Sequence, residues 1–469
     1  MPLGAIVQRI GLNIGSLNTL HRSVGDLERQ LLQTDACKEM LLSPKSASEE
    51  QSKNLKVNID PSYPSPADYY VCPSCIGSPE KIKLASTAYR VRCRCGNELN
   101  ESVKYKKSSD GKDGVFVKED MKFMITDDLQ VSPVSTLTSF ELLKTLGISD
   151  ASVLEVRNER LDNFIQNFSV SHTRARRLLK HLLFSKTPLT DTFLHEQETE
   201  QGLHLDVENT RYLDRDTDEN SKKINIKLLL SKSKKKVLYA EAGEEFPDLL
   251  FSFLTFPLGA VVKLLGGYGM GCVDNLYKSV KDLSFKDCMK SEECKEKLLS
   301  PKIASYFGSK NQLLKIEEQV PLQLELFNCS SCYNCYVTFS GIRPCSHGSK
   351  VMQLRTINPK HSHIVHDLGG AFVAGPAMFT VTDELIVKPL SPISGISLIN
   401  KFSFPISDLE EVVVSVGELE ALSLLRTSLI SNTVFSDVFC SEKPQQSRKR
   451  SSEGSVPPDK RAKTETECV

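Results

Sequence analysis

The chain has 469 residues, long enough for two or three domains, and its 40% hydrophobic and 25% charged content is that of a globular protein. Lys plus Arg equals Asp plus Glu at 59 each, so no global field draws in nucleic acid or an anionic membrane, and any such contact must be local. The most apolar run, LLFSFLTFPLGAVV from Leu249 to Val262, has 14 residues interrupted by Pro257; that is short of the roughly 20 a bilayer requires, so no membrane partner is expected.

The N-terminal MPLGAIVQRI has no charged start followed by a long apolar stretch, and it reads as part of a fold interior rather than a signal peptide. Without secretion, 14 cysteines point to reduced thiols and metal rather than disulfides. CKEMLLSPKSAS at 37–48 then returns as CKEKLLSPKIAS at 294–305. PLGA at 2–5 returns at 257–260, and LNTLHRSVGDL at 17–27 as VDNLYKSVKDL at 273–283. GVFV at 114–117 returns as GAFV at 370–373, and FMITDDLQVSPVST at 123–136 as FTVTDELIVKPLSP at 379–392. The offset stays between 255 and 257, which is a domain length and predicts a tandem duplication: a first copy over 1–194 and a second over 224–440.

Ahead of the second FPLGA, INIKLLLSKSKKKVLYAEAG predicts a β-hairpin leading into a helix from Glu244, and LLFSFLTF a buried helix ending near the proline. The first copy starts inside that helix and is expected to lack the hairpin, as a truncation or through a misassigned start codon. Residues 195–223 read as a polar, acidic linker and 441–469 as a disordered basic tail. Near the end of the second copy, MFTVTDELIVKPL predicts a strand pair or bent strand, and SPISGISLINKF a short helix with Ser391 as N-cap. LEEVVVSVG predicts a strand, ELEALSLLRTSLI an amphipathic helix and TVFSDVF a closing strand. The order implies a compact α/β domain, with α+β as the alternative, present twice.

The cysteines form the one chemical constellation. The first copy has CPSC at Cys72 and Cys75, then 17 residues, then CRCG at Cys93 and Cys95. The second has CSSC at Cys329 and Cys332, then 12 residues, then CSHG at Cys345 and His347. Two close pairs separated by a loop suit a tetrahedral Cys₄ or Cys₃His zinc site, and the glycine after each second pair permits a tight turn around metal-bound sulfur. Zinc-ribbon-like insertions are therefore expected over about 70–97 and about 327–349, with structural zinc as cofactor, because four protein ligands close the coordination sphere. Two features depart from the pattern: the second pair has one intervening residue where ribbons usually have two, and Cys335 in YNCY competes for a ligand position. Free buried thiols are the plainer alternative.

Other motifs read as structural. GGYGMG at 266–271 lacks the Lys-Ser/Thr of a phosphate loop and suits a tight turn before a helix. The acidic pairs in Thr126-Asp127-Asp128 and Thr382-Asp383-Glu384 lack a shared basic or nucleophilic partner, so a turn or cap is favoured over acid–base catalysis. HSHIVHD at 361–367 has no counterpart in the first copy and reads as a surface loop, and Cys37 and Cys294 as packing thiols on amphipathic helices. HTRARRLLKHLL at 172–183 carries a basic helical face, read as solvated. In the tail, Arg448, Lys449 and Arg450, a nine-residue spacer, then Lys460, Arg461 and Lys463 form the two-cluster pattern that importins bind, against a merely solubilising tail.

KLLLSKSKKKVLYAEAGEEFPDLLFSFLTFPLGAVVKLL, NLYKSVKDL, the paired cysteines, FVAGPAMFTVTDELIVKPLSPIS and LLRTSLISNTVFSDVF resemble the plant family called domain of unknown function six-seven-four. The likeness covers nearly all of 2–194 and 224–440. It implies a flowering-plant protein with tandem copies, and no established activity or catalytic residue to carry over. The absence of the KLLLSKSKKKVLYAEAG segment from the first copy departs from the family pattern. The expected function is a zinc-stabilised protein-interaction or adaptor module, leaning away from an enzyme, nuclear with the cytoplasm as alternative. Its partner is expected to be a protein, with importin at the tail. The rivals are nucleic-acid binding through the ribbons and an enzyme using the Thr-Asp-Asp and Thr-Asp-Glu segments.

Overall fold

The computed structural model describes residues 1–10, 14–48, 69–76, 78, 81–105, 116–148, 170–194, 222–266, 270–284, 286–321, 323–329, 334–339 and 350–440. Most of the expected linker and the whole tail from 441 fall outside them.

The first half opens with helices α1 (Leu3–Ile10), α2 (Leu17–Asp26) and α3 (Asp35–Leu42). Strand β1 (Tyr69–Val71), the one-turn helix α4 (Pro73–Ile76), β2 (Lys83–Ser86), the pair β3 (Val91–Arg92) and β4 (Glu98–Leu99), and β5 (Glu101–Tyr105) follow. The hairpin β6 (Phe123–Ile125) and β7 (Val131–Pro133) leads to α5 (Thr136–Thr145), α6 (His172–Phe184) and α7 (Pro188–Phe193). The second half begins with β8 (Ile224–Ser231) and β9 (Lys236–Gly243), then α8 (Glu245–Thr255), α9 (Leu258–Leu264), α10 (Cys272–Asp282) and α11 (Glu292–Leu299). Next come β10 (Leu324–Cys329), β11 (Asn334–Phe339), β12 (Lys350–Thr356), β13 (Met378–Thr382) and β14 (Val387–Pro389). Helix α12 (Pro392–Phe402), β15 (Leu409–Val416) and α13 (Glu418–Ile430) complete the order. The protein is thus a mixed α and β structure.

The β8–β9 hairpin forms as its alternating apolar residues demand, and α8 follows at once. Every residue of α8 from Phe246 to Thr255 is buried, the condition for a helix that is apolar all round. The helix stops before Pro257, whose ring disfavours helical backbone in the preceding residue. Ser391 stands at the N-cap of α12 but its side chain makes no capping bond; Pro392, with its fixed φ, starts the helix instead. TVFSDVF is not a strand. It ends in a wide helical turn over Ser436–Cys440, because the Asp383 carboxylate accepts from Ser436 N at 2.9 Å and Ser436 Oγ at 2.6 Å and bends the chain there.

Strands β14-β13-β9-β8-β15 form one antiparallel sheet. On one face lies the main core, which includes Leu17, Leu20 and Val24 of α2 and Cys37 and Leu41 of α3 beside Phe246, Leu250 and Phe253 of α8. Residues from both halves therefore share one hydrophobic core. Each fully buried Leu or Phe contributes roughly 1.5–3 kcal/mol. Helix α12 covers the other face through Leu398 and Ile399, against Leu238 and Tyr239.

The two cysteine-bearing insertions do not stand apart as separate ribbons. Their strands close into a single barrel in the order β1-β2-β12-β10-β11-β5. Within each half the pairing is antiparallel: β1 with β2 and β5, β10 with β11 and β12. Between halves it is parallel: Lys104 opposite Tyr336 in one seam, Leu84 opposite Arg355 in the other. Three short strands leave two open edges, and each set supplies what the other lacks. Val71, Ala85, Val103, Leu324, Leu326 and Leu354 fill the interior.

The same reciprocity runs through the molecule. Gln33 N donates to Phe372 O and Ala374 N to Leu31 O, while at the equivalent positions of the repeat Lys290 N donates to Phe116 O and Lys118 N to Cys288 O. Leu3 N donates to Phe256 O, and Leu258 N to Met1 O. Ser23 Oγ on α2 accepts from Val387 N at 3.1 Å, and Ser279 Oγ on α10 from Val131 N at 2.8 Å.

One buried acid holds the second-half segment whose Phe372 carbonyl meets Gln33. Asp248, fully buried on α8, accepts from Phe372 N at 2.6 Å, Val373 N at 3.0 Å, Asn311 Nδ2 at 3.0 Å and Ser309 Oγ. Burial raises its carboxyl above the ordinary range, and these donors pull it back. Asp248→Ala strands four buried donors and is expected to cost roughly 3–5 kcal/mol. A fall in the urea midpoint checks this; an unchanged midpoint rejects it.

Candidate metal centre

Two short turns bring the first-half cysteines together. Cys72 follows β1, and its carbonyl accepts from the Cys75 and Ile76 amides, both at 3.1 Å, so α4 folds Cys75 back beneath it. Cys93 and Cys95 sit in the loop of the β3–β4 hairpin, closed by Cys93 N to Asn97 O at 2.7 Å and Gly96 N to Cys93 O at 3.0 Å. Gly96 has φ +90°, backbone that a side chain would strain. Asn97 Nδ2 donates to Ser74 Oγ at 2.8 Å and joins the two turns.

The four sulfurs lie within 4.8 Å of one another, with Cys72 Sγ 3.4 Å from Cys95 Sγ and Cys75 Sγ 3.6 Å from Cys93 Sγ. A disulfide would bring a pair to about 2.05 Å. Zn–S bonds of about 2.3 Å at tetrahedral angles put sulfurs roughly 3.8 Å apart, so the set has the size and donor type to hold a metal ion. Cys72, Cys75 and Cys93 are buried against Ala36, Leu84, Val91, Leu99 and Ile357, and Cys95 is exposed. The Asn97 amide, helped by the Cys72 thiol, holds Cys95 down to about 7, whereas burial pushes Cys75 up to about 12. A metal cation among four such sulfurs would take them as thiolates and release their protons. In the second half, the Cys329 and Cys335 side chains and all of Cys332, Cys345 and His347 lie outside the described residues.

The acidic pairs are turns. Gln130 N donates to Thr126 Oγ1 at 3.0 Å, and Ile386 N to Thr382 Oγ1 at 3.1 Å, with Leu129 at φ +64° and Leu385 at φ +61°. Asp127 then caps α7, accepting from Leu189 N, Thr190 N and Thr190 Oγ1, as Asp383 caps the Ser436 turn. Both carboxylates are thereby saturated by backbone and hydroxyl donors. A surface hollow over α1 and α2, lined by Val7, Asn18, His21, Arg22 and Asp26, includes neither acidic segment.

Residues 1–419 match the profile of the family described as Protein of unknown function (DUF674). The chain belongs to this family. No curated protein and no solved structure matches the chain. Within this DUF674 fold, the remaining motifs fall into structural places. Gly271 adopts φ +60° immediately before α10, and Gly15 φ +47° just ahead of α2, so the glycine-rich stretch ends in a helix-starting turn. Residues 267–269 lie outside the description. Cys37 is fully buried with its thiol pushed up by burial, an inert packing group. His366 Nδ1 meets Thr356 O at 2.7 Å, and among the described residues the histidines of 361–367 join no metal-sized cluster. Helix α6 packs Leu179, Leu182 and Leu183 on the main core. Among the described residues no helix is long and apolar enough to cross a membrane.

Sequence reasoning missed one polar centre. Lys360 is buried, its Nζ donating to Gly308 O and, at 3.4 Å, to Gly370 O, with the Phe372 ring 4.8 Å away. Burial lowers its ammonium from 10.5 to about 8, against the opposing pull of Glu318 and Asp248. The lone acid inside the apolar run of α8 was the available signal, since a buried acid needs partners. The folded chain releases the Lys360 proton near pH 8 and the unfolded chain only near 10.5, so the unfolded state binds more protons between them and stability rises with pH. The rise should approach about 1.4 kcal/mol per pH unit and be absent from Lys360→Met, as compared by urea melts across that window.

Proposed function

We propose that the protein is a metal-stabilised protein-interaction module without catalytic activity, and that the ion is zinc on Cys72, Cys75, Cys93 and Cys95. The observation that carries this is the closed set of four sulfurs within 4.8 Å, three of them buried. Four protein ligands leave no open position for substrate or water, so such an ion braces structure. It would lock α4 and the β3–β4 hairpin onto the outside of β1 and β2, and so onto the barrel. The proposal includes a second ion on Cys329, Cys332, Cys345 and His347, and a tandem duplication of 1–194 and 224–440 as the origin of the fold. The reciprocal hydrogen bonds between equivalent positions support that duplication. The saturated capping roles of Asp127 and Asp383 weigh against the enzyme reading.

Metal analysis of protein purified without added metal should find about two zinc ions per chain, with Cys75→Ser and Cys329→Ser each losing one. Chelation should then lower the melting temperature, because metal binding free energy is folding free energy. A folded protein free of zinc rejects the proposal.

A nucleic-acid reading has one observation in its favour: Arg90, Arg92 and Arg94 alternate outward along the metal-side strand, with Arg90 over the half-exposed Tyr89 ring at 5.2 Å. Arg90 also lies 3.7 Å from Glu98, which reduces its charge toward a phosphate. Binding that falls steeply with salt would favour it.

The basic clusters Arg448–Arg450 and Lys460, Arg461 and Lys463 extend the proposal to importin binding and a nuclear site of action. A fluorescent fusion should concentrate in nuclei and spread to the cytoplasm when Lys449 and Arg461 become alanine. An unchanged distribution counts against the signal.

A further inference from the structure

The four sulfurs of the metal centre are not equally reachable. Alternation along β3 and just beyond it buries Val91 and Cys93 and turns Arg92 and Arg94 outward. The chain then enters the turn closed by Gly96 N to Cys93 O, and Cys95 emerges exposed together with Gly96 and Asn97. Cys72, Cys75 and Cys93 are only 1%, 4% and 5% exposed. A small solute in water therefore meets Cys95 first.

The sulfurs also divide into two pairs. Cys75 Sγ and Cys93 Sγ, 3.6 Å apart, belong to two buried residues packed with Leu84, Val91 and Leu99. Cys72 Sγ and Cys95 Sγ, 3.4 Å apart, join a buried residue of one turn to the exposed residue of the other. This second pair spans the same two turns that the bond from Asn97 Nδ2 to Ser74 Oγ holds together. A disulfide there requires the sulfurs to close by roughly 1.4 Å, a small shift for a side chain on an exposed loop.

We infer that Cys95 is an oxidative modification site for hydrogen peroxide, with Cys72 as its resolving partner, and that their oxidation expels the bound ion. The Cys95 thiolate attacks one peroxide oxygen; the S–O bond forms, the O–O bond breaks and hydroxide leaves. The sulfur is thereby oxidised to a sulfenic acid by two electrons, and the peroxide is reduced. The Cys72 thiolate then attacks the Cys95 sulfur, forming the S–S bond and breaking the S–O bond, and a second hydroxide leaves. Two thiolates, one hydrogen peroxide and two protons from solvent become one disulfide and two waters. Cys75 and Cys93 alone do not complete a four-ligand site, so the ion departs. The new bond joins the end of β1 to the β3–β4 turn, and the hairpin stays attached while the metal is lost. This inference rests on the metal-braced reading and deepens it by naming what regulates that site.

The test treats the full, zinc-loaded chain with hydrogen peroxide, follows released zinc with a chromogenic chelator, and reads each cysteine by differential alkylation and peptide mass spectrometry. Cys95 should lose its free thiol at least about tenfold faster than Cys75 or Cys93. A Cys72–Cys95 disulfide should accumulate, and zinc should leave in step with it. Circular dichroism should stay unchanged, and a dithiol reductant with added zinc should restore the starting state. Cys72→Ser should leave Cys95 at the sulfenic acid, captured by dimedone, a readout that does not require bound metal. Cys75 or Cys93 reacting first, a disulfide joining another pair, or no reaction of Cys95 with peroxide overturns the inference. Zinc present at the start and unmoved once Cys95 is oxidised sinks the inference alone, whereas a chain folded without zinc before peroxide is added sinks the metal-braced reading and the inference with it.

Discussion

The fold depends on a backbone exchange made twice. Residues 31–33 bond to 372–374, and residues 288–290 bond to 116–118, so the loop ahead of α3 or α11 in either half is fixed by the segment ahead of β13 or β6 in the other. Backbone amides taken out of water must find partners, and here they find them only across the halves. From this follow the shared core, the pairing of Ser23 and Ser279 with opposite hairpins, and the barrel closed by two parallel seams. Neither set of three barrel strands has a closed hydrogen-bond ladder alone.

The cysteine cluster sits on the outside of that barrel. Val71 and Ala85 point into the barrel interior while Cys72 and Leu84 belong to the packing layer around the sulfurs, so alternate residues of the same strands serve two cores. Ala36 and Ile357 also reach this layer, which connects it to α3 and to the end of β12. An ion bound there would stiffen a junction between the halves, which is why a bracing role fits the geometry better than a chemical one.

Much of the local structure was legible in sequence. The alternation in 224–243, the apolar stretch before Pro257, the turn at Thr126 and Thr382, and the glycine ahead of α10 each specify a conformation through short-range physics. The cysteine spacing likewise led to the four sulfurs that the structure brings together. What failed was non-local. TVFSDVF has strand-like composition, yet a carboxylate 53 residues away turns it into a helical end. The acid of α8 signalled a buried polar centre but not Lys360 as its member, because the lysine's hydrogen-bond partners are carbonyls of Gly308 and Gly370, and carbonyls carry no sequence signature. The joining of two insertions into one barrel was likewise invisible, since periodicity marks which face of a strand is apolar but not which strand lies beside it.

The parallel seams also set a schedule for synthesis. Strand β5 ends at Tyr105, and its partner in the second half, β11, begins only at Asn334. At translation speeds of about 5–20 residues per second, the nascent first half waits roughly ten to forty seconds for β10 and β11 to leave the ribosome. Through that interval β1, β2 and β5 show water an apolar face and two unsatisfied edges, the combination most prone to wrong pairing. The chain is therefore one whose yield in a cell is governed by what shelters its first half during translation as much as by the stability of the finished fold.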